Sequence, residues 1–151
     1  MEQSMRRFMK VGLILHVAYR GIGDGDGPIL ECLGKVVQDD YFEAVEVTSI
    51  NDPDVRTAAA DMMRTSRMAA AYGGQGRTLS RGLNLNDLDE EGRRQAVAVL
   101  KEGIDQAYEL GCVDFSFLSG RYREETKEQS FEQLLRSTRE LCAYAKEKGD
   151  M

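Results

Sequence analysis

Residues 83–120 constrain the fold of this chain most strongly, because they contain a loop, an amphipathic helix and a buried strand in immediate succession. Asp87 precedes Glu90 by three residues, a spacing that predicts Asp87 as the helix cap and Glu90 in the first turn. Gly111 suits the left-handed residue that ends a helix, and an apolar strand starts two residues later at Val113. Such a short helix-to-strand connection is typical of α/β proteins.

The helix within this stretch is predicted to cover a core with one side only. Its apolar residues recur at steps of three and four, as expected for a buried helical stripe: Val97, Leu100, Ile104, Ala107 and Tyr108. Its charged residues are expected mostly on the opposite, solvated side: Arg93, Arg94, Lys101, Glu102 and Asp105.

The rest of the chain repeats the alternation of strand and helix. Strands are predicted at residues 11–17, 41–48 and 68–72, with helices starting at Pro28, at Asp52-Pro53 and at a Ser130/Gln133 capping box. The order βαβαβαβα without a hairpin signal predicts a parallel sheet. Two α/β architectures fit it: a doubly wound sheet complete in itself, or four βα units of a (β/α)8 TIM barrel, which is half of the barrel.

Composition and charge limit the classes of function. The net charge of −6 and the pI near 4.9 argue against a protein that binds nucleic acid. The three cysteines form no C-x-x-C pair, so neither disulfides nor a zinc site is indicated, and a reducing cytoplasm fits best. The basic start and apolar run superficially resemble a signal peptide, but His16 interrupts the run, which favours a strand. No stretch is long enough for a membrane span.

Candidate binding residues follow the predicted strands, where α/β proteins place their ligand sites. His16, the only histidine, ends the first strand and is either a substrate-hydroxyl contact or a packed strand-end histidine. Glu46 lies within the second strand, pointing either into a barrel mouth, where it is paired or near substrate, or into solvent at an edge. Tyr72 and Gln75 belong to a glycine-rich segment that is either a ligand loop or a plain connector.

Arginines follow the third and fourth predicted strands. Arg77 and Arg81 come after the third strand, and Arg121 and Arg123 come after the fourth. Guanidinium groups gathered at one end of a sheet suit a phosphate or carboxylate, although solvated loop arginines give the same pattern. A single histidine excludes a multi-histidine zinc site within one copy, which disfavours a DNA-repair endonuclease.

Four segments resemble a known family: MKVGLILH at residues 9–16, FEAVEVTS at 42–49, NLNDLDEEGRR at 84–94 and ELGCVDFSFLSG at 109–120. They are similar to the sugar phosphate isomerase/epimerase family with a xylose-isomerase-like TIM barrel. The resemblance covers residues 9–151 as an N-terminal half-barrel, and leaves residues 1–8 as an N-terminal extension.

The resemblance implies a sugar or sugar-phosphate isomerase or epimerase that moves a proton next to a carbonyl. The full-length family is expected to use Mn²⁺ or Mg²⁺, but its metal ligands and acid/base carboxylates mostly lie on the fifth to eighth strands. No catalytic or metal residue is therefore assigned in this chain. The alternative is a non-catalytic half-barrel that self-associates, or that needs a partner chain or a missing C-terminal half. The expected partner is a small sugar or sugar phosphate, with no nucleic acid and no membrane.

Overall fold

The computed structural model describes residues 5–149. The strands are β1 (Gly12–Ile14), β2 (Ala44–Val47), β3 (Ala69–Gly73) and β4 (Asp114–Ser116). The helices are α1 (Leu15–Ala18), α2 (Ile29–Val37), α3 (Pro53–Ser66), α4 (Gln75–Leu79), α5 (Glu90–Glu109) and α6 (Lys127–Lys148), with short 3-10 segments at Met5–Arg7 and Glu124–Thr126. Half of the expected N-terminal extension, residues 1–4, lies outside the described residues.

The four strands form one parallel sheet in the order β1-β2-β3-β4. A doubly wound sheet would reverse its strand order partway across, whereas consecutive order is what a (β/α)8 barrel requires. Of the two architectures that the sequence allowed, the half-barrel is therefore confirmed.

Alternate residues of the sheet face opposite sides. Val45, Val47 and Tyr72 are almost completely buried, because they face the helices and form the main core with residues of α2 and α3. Glu46 and Ala71, which pair across β2 and β3, are only half-buried on the other face. This second face has no helix layer over it within residues 5–149, and it corresponds to the inside of a barrel. We call it the open face.

The predicted start of α3 is confirmed and that of α5 is shifted. Asp52 caps α3 by accepting from the Asp54 N–H at 2.8 Å, and Pro53 is the first helical residue. In α5 the cap is Asp89, which accepts from the Gly92 N–H at 3.1 Å. The prediction of Asp87 as the cap was wrong, because its carboxylate instead accepts from the Asp89 N–H in the preceding turn.

Three further boundaries differ from the prediction. The first strand ends at Ile14, since the chain turns into the single helical turn α1 and buries Leu15 in the core. His16 therefore lies in α1 and does not end the strand. Helix α6 begins at Lys127, so Ser130 is a buried residue inside the helix and not its cap. Pro28 caps α2, which begins one residue later.

Arg93 is the largest departure from the amphipathic pattern of α5. The solvated position predicted for it was wrong, because its side chain is only 2% exposed. Its guanidinium donates to Glu90 at 2.9 and 3.0 Å and to the Ser137 hydroxyl at 3.0 Å, and that hydroxyl donates to the Leu85 carbonyl at 2.7 Å. The buried arginine thus ties α5, α6 and the loop before α5 together.

The arginines around Glu90 stabilise its charged form. The hydrogen bond from Arg93, with further contributions from Arg94 and Arg136, lowers the pKa of the Glu90 carboxyl to about 2. By contrast, burial raises the pKa of the Cys112 thiol to about 12, as expected for a cysteine packed in the core. Within the described residues, no helix combines the length and apolar character needed to cross a membrane.

Glu90→Gln should remove an acid-sensitive part of the folding stability. Because the pKa of Glu90 is lower in the folded state, its contribution is complete above the ordinary value of 4.5 and is lost as the pH falls towards about 2. The difference in unfolding free energy between wild type and Glu90→Gln, measured with urea, should therefore shrink over this range. Glu91→Gln, an exposed neighbour, is the matched control and should give a difference that barely changes. A pH-independent difference for Glu90→Gln would contradict the expectation.

Candidate functional site

The carboxyl ends of β2, β3 and β4 carry a cluster of polar side chains around Gly73 on the open face. A Cβ atom placed on Gly73 would lie 2.6 Å from Glu46 Oε1 and 2.8 Å from Gln75 Oε1, so both side chains reach over this glycine. Gln75 Nε2 donates to the Ser116 hydroxyl at 3.0 Å. We call Glu46, Gly73, Gln75 and Ser116 the Gly73 patch.

Glu46 is the charged member of the patch. Its side chain is half-buried, and within residues 5–149 it forms neither an ion pair nor a hydrogen bond. A carboxylate with free lone pairs at the end of a strand can accept hydrogen bonds from ligand hydroxyls. Glu46 is therefore the group of the patch most open to a ligand.

Asp114 adds a second carboxylate to the open face. Register places Glu46 beside Ala71 and Ala71 beside Asp114, so the two acids occupy one level of the sheet. Sequence reasoning missed Asp114 and Ser116. Their alternation with Phe115 in the sequence could have indicated that they face away from the helices. Phe115 itself lies on the helix side, where its ring stacks on that of Tyr72 with 5.4 Å between centroids.

Tyr72 and Arg77, two further candidates, lie on the helix side of the sheet. Tyr72 has no exposed surface, and its hydroxyl accepts from Arg77 Nε at 2.9 Å. The Arg77 side chain is 9% exposed and pairs with Glu102 at 3.4 Å. The structure thus brings Glu46 and Gln75 together and places Tyr72 and Arg77 behind them. A direct contact of these two with substrate stays a prediction.

The remaining candidates lie in α1 and on the loops at the same end of the sheet. His16 is half-buried two residues beyond Ile14, the register partner of Glu46, and its Nδ1 has no hydrogen-bond partner among the described residues. Arg121 is exposed, and its backbone is held by Asn84 at 3.3 Å and Asn86 at 2.9 Å. Arg81 and Arg123 are also exposed. Phosphate binding by these arginines stays a prediction.

The open face does not provide a metal site by itself. Within residues 5–149, no group of three or more histidine, cysteine or acidic side chains lies close enough to hold a metal ion. The residues of this chain therefore do not fit the metal centre expected for the full-length family.

The consecutive parallel strands and the polar patch at their carboxyl ends define half of a (β/α)8 barrel. Residues 35–149 match the family model described as xylose isomerase-like TIM barrel, and the chain belongs to this family. A search of curated protein sequences found no match.

Solved structures of sugar epimerases share this fold. They include a D-tagatose 3-epimerase-like protein (TM-score 0.73, 15% identity), an L-ribulose 3-epimerase (0.75, 16%) and a D-psicose 3-epimerase from Clostridium cellulolyticum H10 with D-tagatose (0.70, 19%). Each match covers 94% of this chain but only 51%, 48% and 50%, respectively, of the other chain. The chain therefore spans about half the length of these epimerases.

Gly73→Ala should disturb the patch without unfolding the protein. The new Cβ would meet the ends of two flexible side chains, so Glu46 and Gln75 would move while the backbone stays in place. We expect a stability change of about 1 kcal/mol or less, together with shifted NMR signals for the Gln75 amide and the Glu46 carboxyl. Gly76→Ala is the control, since a Cβ there meets nothing within 4 Å. Unchanged signals in Gly73→Ala would contradict the close approach of both side chains to Gly73.

Proposed function

We propose that this chain is the substrate-binding half of a sugar isomerase or epimerase. The observation that carries the proposal is the Gly73 patch, which gathers a carboxylate, an amide and a hydroxyl at the carboxyl ends of three neighbouring strands. These groups form the hydrogen bonds that orient a sugar through its hydroxyls. The sugar 3-epimerases that share the fold support the same class of substrate.

An uncharged sugar suits the open face better than a sugar phosphate. The ionisable side chains of the strands on this face are Glu46 and Asp114, and both are acidic. Arg77, the arginine nearest the patch in sequence, is turned to the helix side and paired with Glu102. A phosphate would be repelled by the carboxylates, unless Arg81, Arg121 or Arg123 reached over the rim.

The proposed roles are those of binding groups. Glu46 accepts hydrogen bonds from sugar hydroxyls, and Gln75 and Ser116 complete the polar surface. His16 contacts the ligand from α1, and Arg121 contacts it from the loop after β4. The expected reaction is proton transfer next to a carbonyl, for which Mn²⁺ or Mg²⁺ would polarise the oxygens. Both the metal ligands and the acid/base groups are proposed to come from the other half of the barrel. The expected compartment of the protein is the cytoplasm.

A second candidate function is a non-catalytic half-barrel that associates through its free edges. Within residues 5–149, β1 and β4 each pair on one side only. Most of the exposed large apolar side chains lie on or beside these edge strands and α6: Phe8, Met9, Ile14, Val17, Val113, Leu118, Tyr122 and Phe131. Unpaired strand edges bordered by apolar surface favour association.

Side-chain volume argues that a second copy would not close the barrel well. The open face is lined mostly by very small residues: Gly12, Ala44, Ala69, Ala71 and Gly73. Barrels of this type are normally filled by layers of bulky side chains. Two copies would enclose a hollow lumen, which proteins avoid because the lost contacts are costly. We therefore propose that residues 9–151 form an N-terminal half that a half of different sequence completes.

Sugar binding tests the first proposal. D-tagatose should bind the chain weakly, and Glu46→Ala should weaken binding by about tenfold or more, which corresponds to the loss of one charged hydrogen bond. Glu91→Ala, an exposed acid on α5, should leave the affinity unchanged. The affinity can be measured by NMR titration, with D-tagatose 6-phosphate as the charged comparison. Equal affinities for wild type and Glu46→Ala, or clearly tighter binding of the phosphate, would oppose the proposal.

The oligomeric state tests the second candidate. If the free edges drive association, the mass measured by light scattering should rise with protein concentration. Val113→Lys, on the β4 side, should raise the concentration at which half of the protein is associated by about tenfold. Leu79→Lys is the control, because Leu79 is exposed on α4, which follows the interior strand β3. A monomer at every concentration, or equal effects of the two substitutions, would remove this candidate.

A further inference from the structure

Gln106 lies behind the sheet on α5, and its amide holds both backbone groups of one loop residue. Its Nε2 donates to the Ile50 carbonyl at 3.3 Å, while its Oε1 accepts from the Ile50 N–H at 3.2 Å. The same Oε1 accepts from the Tyr72 hydroxyl at 3.1 Å. A planar amide that meets a donor and an acceptor of one residue fixes both the distance and the orientation of the loop after β2.

One turn earlier on α5, Glu102 holds the segment after β3. It pairs with Arg77, which also donates to the Tyr72 hydroxyl at 2.9 Å. Because this hydroxyl in turn donates to Gln106, it joins the loop after β2 to the segment after β3.

One turn later on α5, Glu109 completes the arrangement. It pairs with Arg56, whose Nη1 donates to the Ile50 carbonyl at 2.6 Å. Positions 102, 106 and 109 follow the helical repeat, so a single face of α5 anchors both segments, with Gln106 at its centre.

These anchored segments adjoin the Gly73 patch, which lies on the opposite face of the sheet. Tyr72 and Gly73 are neighbours that point to opposite faces, so a fixed Tyr72 fixes the glycine over which Glu46 and Gln75 meet. The loop after β2 is also bound directly to this point, because Thr48 Oγ1 donates to the Gly73 carbonyl at 3.0 Å. The spacing between the two segments therefore sets the separation of Glu46 from Gln75.

We infer that Gln106 is a positioning residue for the candidate site, acting through Ile50 and Tyr72 without touching the ligand. The inference rests on the proposed function for its effect on sugar binding, but its effect on the geometry of the patch can be measured without a ligand. An amide that only stabilised the fold would change the unfolding free energy and leave the patch intact.

Gln106→Leu tests this role, with Gln95→Leu as the matched control. Gln95 is an exposed glutamine on the same helix, and within residues 5–149 its side chain bonds only to Glu91. In Gln106→Leu we expect hydrogen exchange at the Ile50 amide to accelerate about tenfold, the Gln75 side-chain NMR signals to shift, and the dissociation constant for D-tagatose to rise about tenfold. Gln95→Leu should leave all three unchanged, with affinities measured where each variant is fully folded.

Gln106→Glu provides a rescue experiment. A glutamate keeps the acceptor for the Ile50 N–H and the Tyr72 hydroxyl, and Arg56 still donates to the Ile50 carbonyl. It should therefore restore most of the affinity and of the amide protection. Unchanged Ile50 exchange and Gln75 signals in Gln106→Leu would overturn the inference, as would a loss of stability alone. If wild type binds no D-tagatose, the proposed function fails, and the two ligand-free readouts still decide the role of Gln106.

Discussion

The register of the parallel sheet is the constraint on which the rest of the structure depends. Val47, Tyr72 and Phe115 form a row on the helix side, and the preceding residues Glu46, Ala71 and Asp114 form a row on the open face. A shift of one residue in β2 would turn Glu46 into the helix layer and expose Val47. Burial of a carboxylate without a partner is costly, so the charge on Glu46 opposes this slip just as the burial of Val47 does. The same alternation places the polar groups of the Gly73 patch on the open face and the Tyr72 side chain with its hydrogen-bond partners on the helix side.

The elements of the fold could largely be predicted from sequence, because their signals are local. The cap Asp52, Pro53 and the left-handed Gly111 each act within a few residues of their own position. The sequence-based prediction was wrong where residues far away in the sequence determine whether a side chain is buried. Arg93 reads as a surface residue within α5, but it is buried because Ser137, 44 positions later, accepts its hydrogen bond. Asp87 and Asp89 are two residues apart with the same side chain, and only the path of the backbone decides which one caps α5.

The candidate site was partly predictable for a related reason. Its place at the strand ends follows from the βα order, and this located Glu46 and Gln75. The side of the sheet on which Tyr72 lies could not be predicted. The three residues before it, Ala69 to Ala71, are identical and show no alternation of apolar and polar residues. Asp114 and Ser116 were overlooked because only the apolar residues of their strand were considered. Side-chain direction on short strands is thus set by neighbouring strands more than by local pattern.

The two faces of this half-barrel also indicate what a completing half has to supply. The open face is lined mainly by glycine and alanine near the strand starts and carries Glu46 and Asp114 further along. A packed barrel interior would then need bulky side chains on the strands of the completing half, at the levels where the side chains of this half are small. Within residues 5–149, Glu46 and Asp114 form no ion pair, so under the proposed function positive charge across the lumen, from side chains or from a metal ion, would balance them. The binding groups of one half and the charge of the other would then meet on the ligand, so that neither half forms the complete site alone.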